Sequence, residues 1–468
     1  MHAYLTSSSS TLQRWFFVGL LLLFVVISAQ YTAKVWDEQN HQRSAFLRWR
    51  SQILELNDGV NIWQKHNYPN PPIMVMLLKI LVPLHPVIGS LIWYYLKVAM
   101  TLVAMCIMFR LVETPGQPWP IWAKAAAVVL SLRPIIGDLT HGNVNLFILL
   151  LVVAALAFYR AKRGGLAGLS LALAIACKVT PALFIPYFVW KRAWSTVAGC
   201  GVGLVLFFWI VPGLFFGFGP NAEYLSAWRI AMIEPYAVRG EVTTEYENQS
   251  LPGLVHRMLT DSASFSTFSF EGGRYITDES HNFVSWPPFV ARCIVRGCMA
   301  VFVLVVVCVC RQPTDQRERW QLAAEYGLIL VGMLLFSERT WKHHCVTLLI
   351  PFGVLVYYLA TGNPGPRMKR FVVVTLVLAG LLMMSTGTGW GKDMSRWGKL
   401  AQVYGAYVWV NLLLAGALAF VLYKHRVSAP SPELSTVRGP FRCFSHTALV
   451  AEPARFTLQL HPPQETAS

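Results

Sequence analysis

Apolar runs of about twenty residues recur along this chain, with short clusters of Lys and Arg between them. Nothing else in the sequence constrains the fold as much. A helix needs about 20 apolar residues to cross a hydrocarbon core of about 30 Å. Only helices and closed barrels satisfy their backbone polar groups there. The expected spans are 15–35, 88–110, 121–139, 144–160, 195–217, 290–310, 321–337, 344–360, 370–388 and 403–423. The chain is 55% hydrophobic and only 13% charged, with a mean hydropathy of +0.48. A soluble domain carries roughly 25% charged residues, so the missing charge points to a bilayer as solvent. The expected fold class is all-α: a polytopic membrane protein of about ten spans plus re-entrant helices.

The net charge of +16 would suggest nucleic acid in a soluble protein. Here the cations sit between apolar runs, as Arg160, Lys162 and Arg163; Lys191 and Arg192; Arg367, Lys369 and Arg370; and Lys424, His425 and Arg426. That is the positive-inside pattern of cytoplasmic loops, and no nucleic-acid partner is expected. Arg14 precedes an apolar run too long for a signal-peptide core, so the first helix is expected to be uncleaved, after a cytoplasmic segment 1–14. The membrane domain is expected over 15–426, with external loops at about 36–70 and 218–288. Residues 427–468 are rich in Pro, Ser and Thr and are expected to form a disordered cytoplasmic tail. The apolar piece 72–84 is too short to cross and reads as re-entrant or interfacial. Residues 165–190 are broken by Lys178 and Pro181 and flanked by basic clusters. They form either a broken re-entrant hairpin with Lys178 near its tip, or one kinked span that inverts everything downstream. The nine cysteines show no pairing or zinc spacing and read as small buried hydrophobes.

A charge in hydrocarbon costs several kcal/mol unless paired or hydrated, so polar residues at membrane boundaries are functional candidates. Asp37 and Glu38 follow the first span, as a general base, a metal-binding pair or a solvated helix end. Arg43, Arg48 and Arg50 follow at helical spacing, suited to a phosphate because guanidinium binds two oxygens at once. Asp58-Gly59 is a further acid or a plain turn. Arg133-Pro134 and then His141-Gly142-Asn143-Val144-Asn145 turn the chain between two spans. Lys178 lies amid apolar sequence and could neutralise a phosphate or snorkel. Asn248-Gln249-Ser250 fits a glycosylation sequon, a pattern common by chance. Ser337 to His344 brings together Glu338, Arg339, Lys342, His343 and His344. The His pair could hold a metal or act as a base.

Taken in order, an acid after span one, Tyr68–Pro72, Gly142–Asn145, Lys178–Pro181, Asn248–Ser250 and Trp341–His344 resemble a known family. It is the polyprenol-phosphate-mannose-dependent α-mannosyltransferases of the GT-C type, glycosyltransferase family eighty-seven. The resemblance covers roughly 15–425 and implies a GT-C helical bundle. It also implies an inverting hexosyltransferase that moves a sugar, expected to be mannose, from a polyprenyl-phosphate donor. The acceptor would be a glycolipid or glycan on the non-cytoplasmic face. The resemblance implies a catalytic carboxylate in the first external loop, at Asp37, Glu38 or Asp58. It places His343 and His344 near the reaction centre.

The residues suit that chemistry. The donor brings its own leaving group, so the protein must hold phosphate, take a proton from the acceptor and stabilise an oxocarbenium-like transition state. Arg48, Arg50, Lys178, Arg339 and Lys342 are the expected phosphate contacts, with Tyr68, His141, Asn145 and Asn248 as substrate-binding or loop-holding residues. No phosphate-binding GxxxxGK[ST] loop is present. No cofactor is expected and no metal ligands are assigned; a divalent ion stays an open alternative without support in the sequence. The partners expected are the lipid-linked donor, the acceptor and membrane lipids. The location expected is a bacterial inner membrane, with the site facing the periplasm or exterior. The rival reading is a lipid or glycolipid transporter, for which broken helices also serve as binding sites. A non-catalytic scaffold is the third, and it leaves the polar residues on one side unexplained.

Overall fold

The computed structural model describes residues 2–37, 41, 44–269, 274–387 and 392–425. Glu38, Arg43 and the segment 427–468 lie outside the described residues.

Helix α1 (His2–Trp36) contains the first expected span and begins well before it. The first polar segment is not irregular: α2 (Ala45–Glu55) buries Phe46, Trp49 and Ile53 and turns its polar side outward. Short α3 (Ile62–His66) and α4 (Pro72–Lys79) follow. Next come α5 (Pro86–Val112), α6 (Ile121–His141) and α7 (Asn145–Arg160). Helix α8 (Gly164–Cys177) stops at Lys178, whose backbone is extended (φ −159°, ψ 119°). A 3-10 turn with Pro181 restarts the chain as α9 (Phe184–Trp190). Helix α10 (Trp194–Val205) passes through a π-helical turn into α11 (Val211–Phe216).

The segment expected to be a long loop, 218–288, is mostly ordered. It holds α12 (Phe218–Trp228), a π-helical stretch Arg229–Val238, α13 (Leu251–Leu259) and an antiparallel hairpin, β1 (Ala263–Ser269) with β2 (Arg274–Ser280). The helices were hidden because they are short, although α13 buries most of its residues. The rest is helical: α14 (Pro288–Val309), α15 (Arg319–Leu335), α16 (Leu349–Thr361), α17 (Pro366–Ser385), α18 (Lys392–Val403) and α19 (Ala406–Lys424).

Seven helical stretches among the described residues are long and apolar enough to cross a membrane, and the protein is an integral membrane helical bundle. The other three expected spans are α6, which carries Arg133 and Asp138, α7 with 16 residues, and α15 with 17. Helix α15 is apolar nearly all round and buried throughout, as a central helix must be. Helix α14 exposes Val301, Val303, Leu304 and Val307, as a helix facing lipid does.

The two readings of residues 165–190 are separated by glycine contacts. A Cβ added at Gly164 would meet Ser195, one at Gly168 would meet Thr196 and Cys200, and one at Gly203 would meet Ala172. The contacts ascend in both helices together, so α8 and α10 run parallel. The chain must therefore return between Cys177 and Trp194, which makes α8–α9 a broken re-entrant hairpin with Lys178 at its turn. The basic ends agree. Arg160 donates to the Arg110 carbonyl, Lys191 to those of Cys310 and Gln312, and Arg319 to that of Glu113. These termini gather at one end of the bundle, and Lys178 lies at the other.

Candidate functional site

At the Lys178 end, a cavity of about 1600 Å³ opens between the first polar segment, the α6–α7 turn, the α8–α9 break, the α12 region and the α15–α16 connection. Four expected site residues line it: Arg48 from α2, Lys178 from the break, and Arg339 and His344 from the connection. Burial lowers the pKa of Arg48 from its ordinary value, yet a guanidinium stays charged. Arg339 is set by Glu245 at 2.8 Å and lies 5.0 Å over the Trp341 ring. Trp49, Trp63, Trp228 and Trp341 are among its lining residues.

The two imidazoles of the connection are fixed by their neighbours. His344 Nδ1 accepts the Trp341 backbone N–H at 3.2 Å. Neutral His344 therefore carries its proton on Nε2, as a donor. Asn143 accepts the Val144 N–H through Oδ1 (2.7 Å), so its Nδ2 donates to His343 Nε2 (3.1 Å). His343 is buried, stacks on His141 at 4.4 Å between ring centroids, and does not line the cavity. In this arrangement the accepting nitrogen of each histidine is engaged in a hydrogen bond.

Beneath the cavity floor lies a polar series, of which sequence reasoning missed Lys97 and Asp138. Lys178 Nζ donates to Asn145 Oδ1 (2.5 Å), and Asn145 Nδ2 donates to Asp138 Oδ1 (2.8 Å). Lys97 Nζ, from α5, reaches the Asp138 carbonyl (2.6 Å) and its Oδ2 (3.5 Å). Asp138 and Lys97 are fully buried. A lone Asp and a lone Lys inside apolar helices were the available signal. Asn145 is thus a buried link rather than part of the cavity wall.

Other expected residues do not line the cavity. Asn248 is fully buried: its Nδ2 donates to the carbonyls of Thr243 and Glu338, and its Oδ1 accepts from the N–H of Ser250 and Thr340. It clasps two connections together, as the loop-holding reading has it, and its amide is enclosed rather than displayed. Arg257, also missed, is pinned to five carbonyls, among them Val403, Glu245 and Asn248, and burial lowers its pKa to about 10. Arg50 donates to the Leu84 carbonyl. Lys342 and Arg133 both donate to Thr386 at the end of α17. Tyr68 is fully enclosed, edge-on to Trp49 and Trp63, and burial raises its pKa. Asp58 is exposed in the turn after α2, and Asp37 is exposed at the end of α1. Lys34 Nζ donates to the Thr140 carbonyl (3.0 Å), so α1 ends beside the end of α6. Among the acids lining the cavity are Glu223, Glu241 and Glu338. Among the described residues, no three His, Cys, Asp or Glu converge as a metal ion would need.

The chain is also similar to known proteins. Over 341 residues, 66% of this chain and 67% of the relative, the chain is 26% identical to a protein of Mycolicibacterium smegmatis, strain ATCC 700084 / mc(2)155. That protein is described as a polyprenol-phosphate-mannose-dependent α-(1-2)-phosphatidylinositol mannoside mannosyltransferase. No solved structure matches the chain. The family model of glycosyltransferase family 87 matches residues 68–338, from the enclosed tyrosine to the cavity carboxylate beside Arg339. That stretch is more than half of the chain, which therefore belongs to glycosyltransferase family 87 and is a membrane-embedded hexosyltransferase.

Proposed function

We propose that this enzyme moves a mannosyl residue from a polyprenyl-phosphate carrier to a hydroxyl of a glycolipid or glycan. We place the reaction on the non-cytoplasmic face of a bacterial inner membrane. The observation that carries the reading is the convergence of Arg48, Lys178, Arg339 and His344 on one cavity at the end of the bundle opposite the basic clusters. A phosphodiester donor needs that set of cations and donors, and the named activity of the M. smegmatis relative supports the lipid carrier.

The chemistry follows from the residues. Lys178, Arg48 and Arg339 hold the phosphate, and their charge stabilises the lipid phosphate as the C1–O bond breaks. His344 donates Nε2–H to a phosphate oxygen. The acceptor oxygen bonds to C1 from the opposite face, and its proton passes to a carboxylate. One displacement with one base inverts the anomeric centre. The proton acceptor we assign is Asp37, at the end of α1 beside the α6 terminus, with Glu38 its sequence neighbour. Glu223 and Glu338 are the cavity controls.

The test is sugar transfer from synthetic polyprenyl-phosphate-mannose by the purified protein in detergent, over a panel of glycolipid and glycan acceptors, with a nucleotide sugar as control. Transfer from the lipid donor alone, giving the opposite anomer, is expected. Asp37→Asn should cut turnover by about 10³-fold, and Glu223→Gln and Glu338→Gln by less than about tenfold. An enzyme that uses the nucleotide sugar instead sinks the donor assignment. Unchanged turnover in Asp37→Asn moves the base to another acid.

A further inference from the structure

We infer that Asp138 is a positioning residue for the reaction: through Asn145 it aims the Lys178 ammonium at the cavity and holds its charge there. The inference rests on the reading of Lys178 as a contact to the donor's phosphate.

Three hydrogen-bonded contacts cross from the bundle interior to the cavity floor. Lys97 reaches Asp138, Asp138 receives Asn145, and Asn145 receives Lys178. They join α5, α6, the start of α7 and the turn of the re-entrant hairpin. The order of groups fixes each orientation. A carboxylate only accepts, so Asn145 must turn its amide nitrogen to Asp138. Its amide oxygen is then forced toward Lys178, whose ammonium only donates. Had Asn145 faced an amide instead, either flip would be possible and the lysine would lose its fixed acceptor.

The charges give the arrangement its sense. One carboxylate serves two ammonium groups. Lys97 sits close to it and also caps the last carbonyls of α6, at Asp138 (2.6 Å) and Leu139 (3.5 Å). Lys178 is kept one side chain away, so the uncompensated positive charge lies at the cavity. The extended backbone at Lys178 frees the side chain from helical packing. A small chamber lined by Asn145, Lys178, Thr180, Ser337 and His344 adjoins the main cavity, so the ammonium and the His344 ring border the same space. Two groups that would share one phosphate are thereby oriented by separate partners: His344 by Trp341, Lys178 by Asp138 through Asn145.

Two measurements on the full-length protein in detergent test this. The first needs no substrate: the rate of reductive methylation of Lys178 by formaldehyde, read by mass spectrometry, with Lys65 as internal reference. In Asp138→Asn, Lys178 should react about fivefold or more faster as it loses its fixed acceptor, while Lys65 keeps its rate. An unchanged Lys178 rate overturns the inference. The second is a double-mutant cycle with the lipid donor. Asp138→Asn should raise KM for the donor about tenfold, with kcat within about threefold. In a Lys178→Met background the same substitution should add less than about twofold. A merely structural role gives additive losses, and additivity overturns the inference. A changed methylation rate in a protein that never consumes the lipid donor refutes the proposed function and leaves the Asp138–Asn145–Lys178 linkage standing. Asp138→Glu, which keeps the charge, is expected to restore KM to within about threefold and covers the case of a poorly folded Asn variant.

Discussion

The re-entrant hairpin is anchored by buried charge at both ends, and the two anchors are built differently. At the basic end, Glu325 takes Lys191 at 2.7 Å, Arg317 at 2.8 Å and the Tyr187 hydroxyl at 2.9 Å. The remaining donors of the two cations go largely to the carbonyls at the end of α14, Val309 and Cys310, and to Gln312. This assembly is closed: the side chains of Glu325 and Arg317 are fully buried and that of Lys191 nearly so. At the cavity end, Asp138 also serves two cations, but an asparagine stands between it and the second one. That anchor is open on one side. Direct contact consumes a charge for cohesion; one intervening amide leaves it available to a ligand. The same residue types thus hold the fold at one end and serve the site at the other.

The largest expected effect breaks the closed anchor. Glu325→Gln leaves two buried cations without their carboxylate, a loss of about 3–5 kcal/mol of stability. It is read as a lowered thermal midpoint in detergent, while the folded fraction keeps its donor kcat/KM. A stable variant that loses turnover instead would erase the distinction between the two ends. Next is Lys178→Met, expected to lower kcat/KM for the lipid donor about 100-fold, or about 2.7 kcal/mol, with the thermal midpoint little moved. Asn145→Asp turns the open end into a copy of the closed one, because Lys178 then meets a carboxylate directly. Donor KM should rise about tenfold, or about 1.4 kcal/mol, and donor titration would detect a contrary fall. The smallest effect tests whether cationic side chains do the work of an ion. With EDTA present throughout, transfer should change by less than about twofold, and restoration by added magnesium would contradict this.

The sequence showed the parts whose signal is local. Long apolar runs marked the spans, and Lys178 with Pro181 marked the break, because charge and a missing N–H both interrupt a helix. Arg48, Arg339 and His344 were recognised as site candidates from residue type and position, and they line the cavity. The partners were not legible. Asn145 reads as a turn residue until Asp138 and Lys178 are seen on either side of it, and those contacts join separate helices. Asp138, Lys97 and Glu325 stood as single charges in apolar runs, and a linear pattern does not say which charge meets which. Asn248 read as a substrate-binding or loop-holding residue, and its amide is spent inside. The α12 region and its π-helical continuation escaped detection because a short, weakly amphipathic helix looks like loop.

The glycine contacts between α8 and α10 set more than a direction of travel. At Gly168 the two backbones touch, with room for no side chain: a Cβ would lie 2.3 Å from the Thr196 carbonyl oxygen and 2.4 Å from the Cys200 nitrogen. Helices joined this way cannot slide past one another by a turn without parting. From Gly168 to the break is about 15 Å of helix, a rigid rod with Lys178 at its tip. The protein therefore carries its own depth gauge, which holds the ammonium at one height relative to α10. Under the proposed function the lipid donor's phosphate sits at that height, so selection would fall on the headgroup and the first units of the chain, with the far end of the tail free to vary in length.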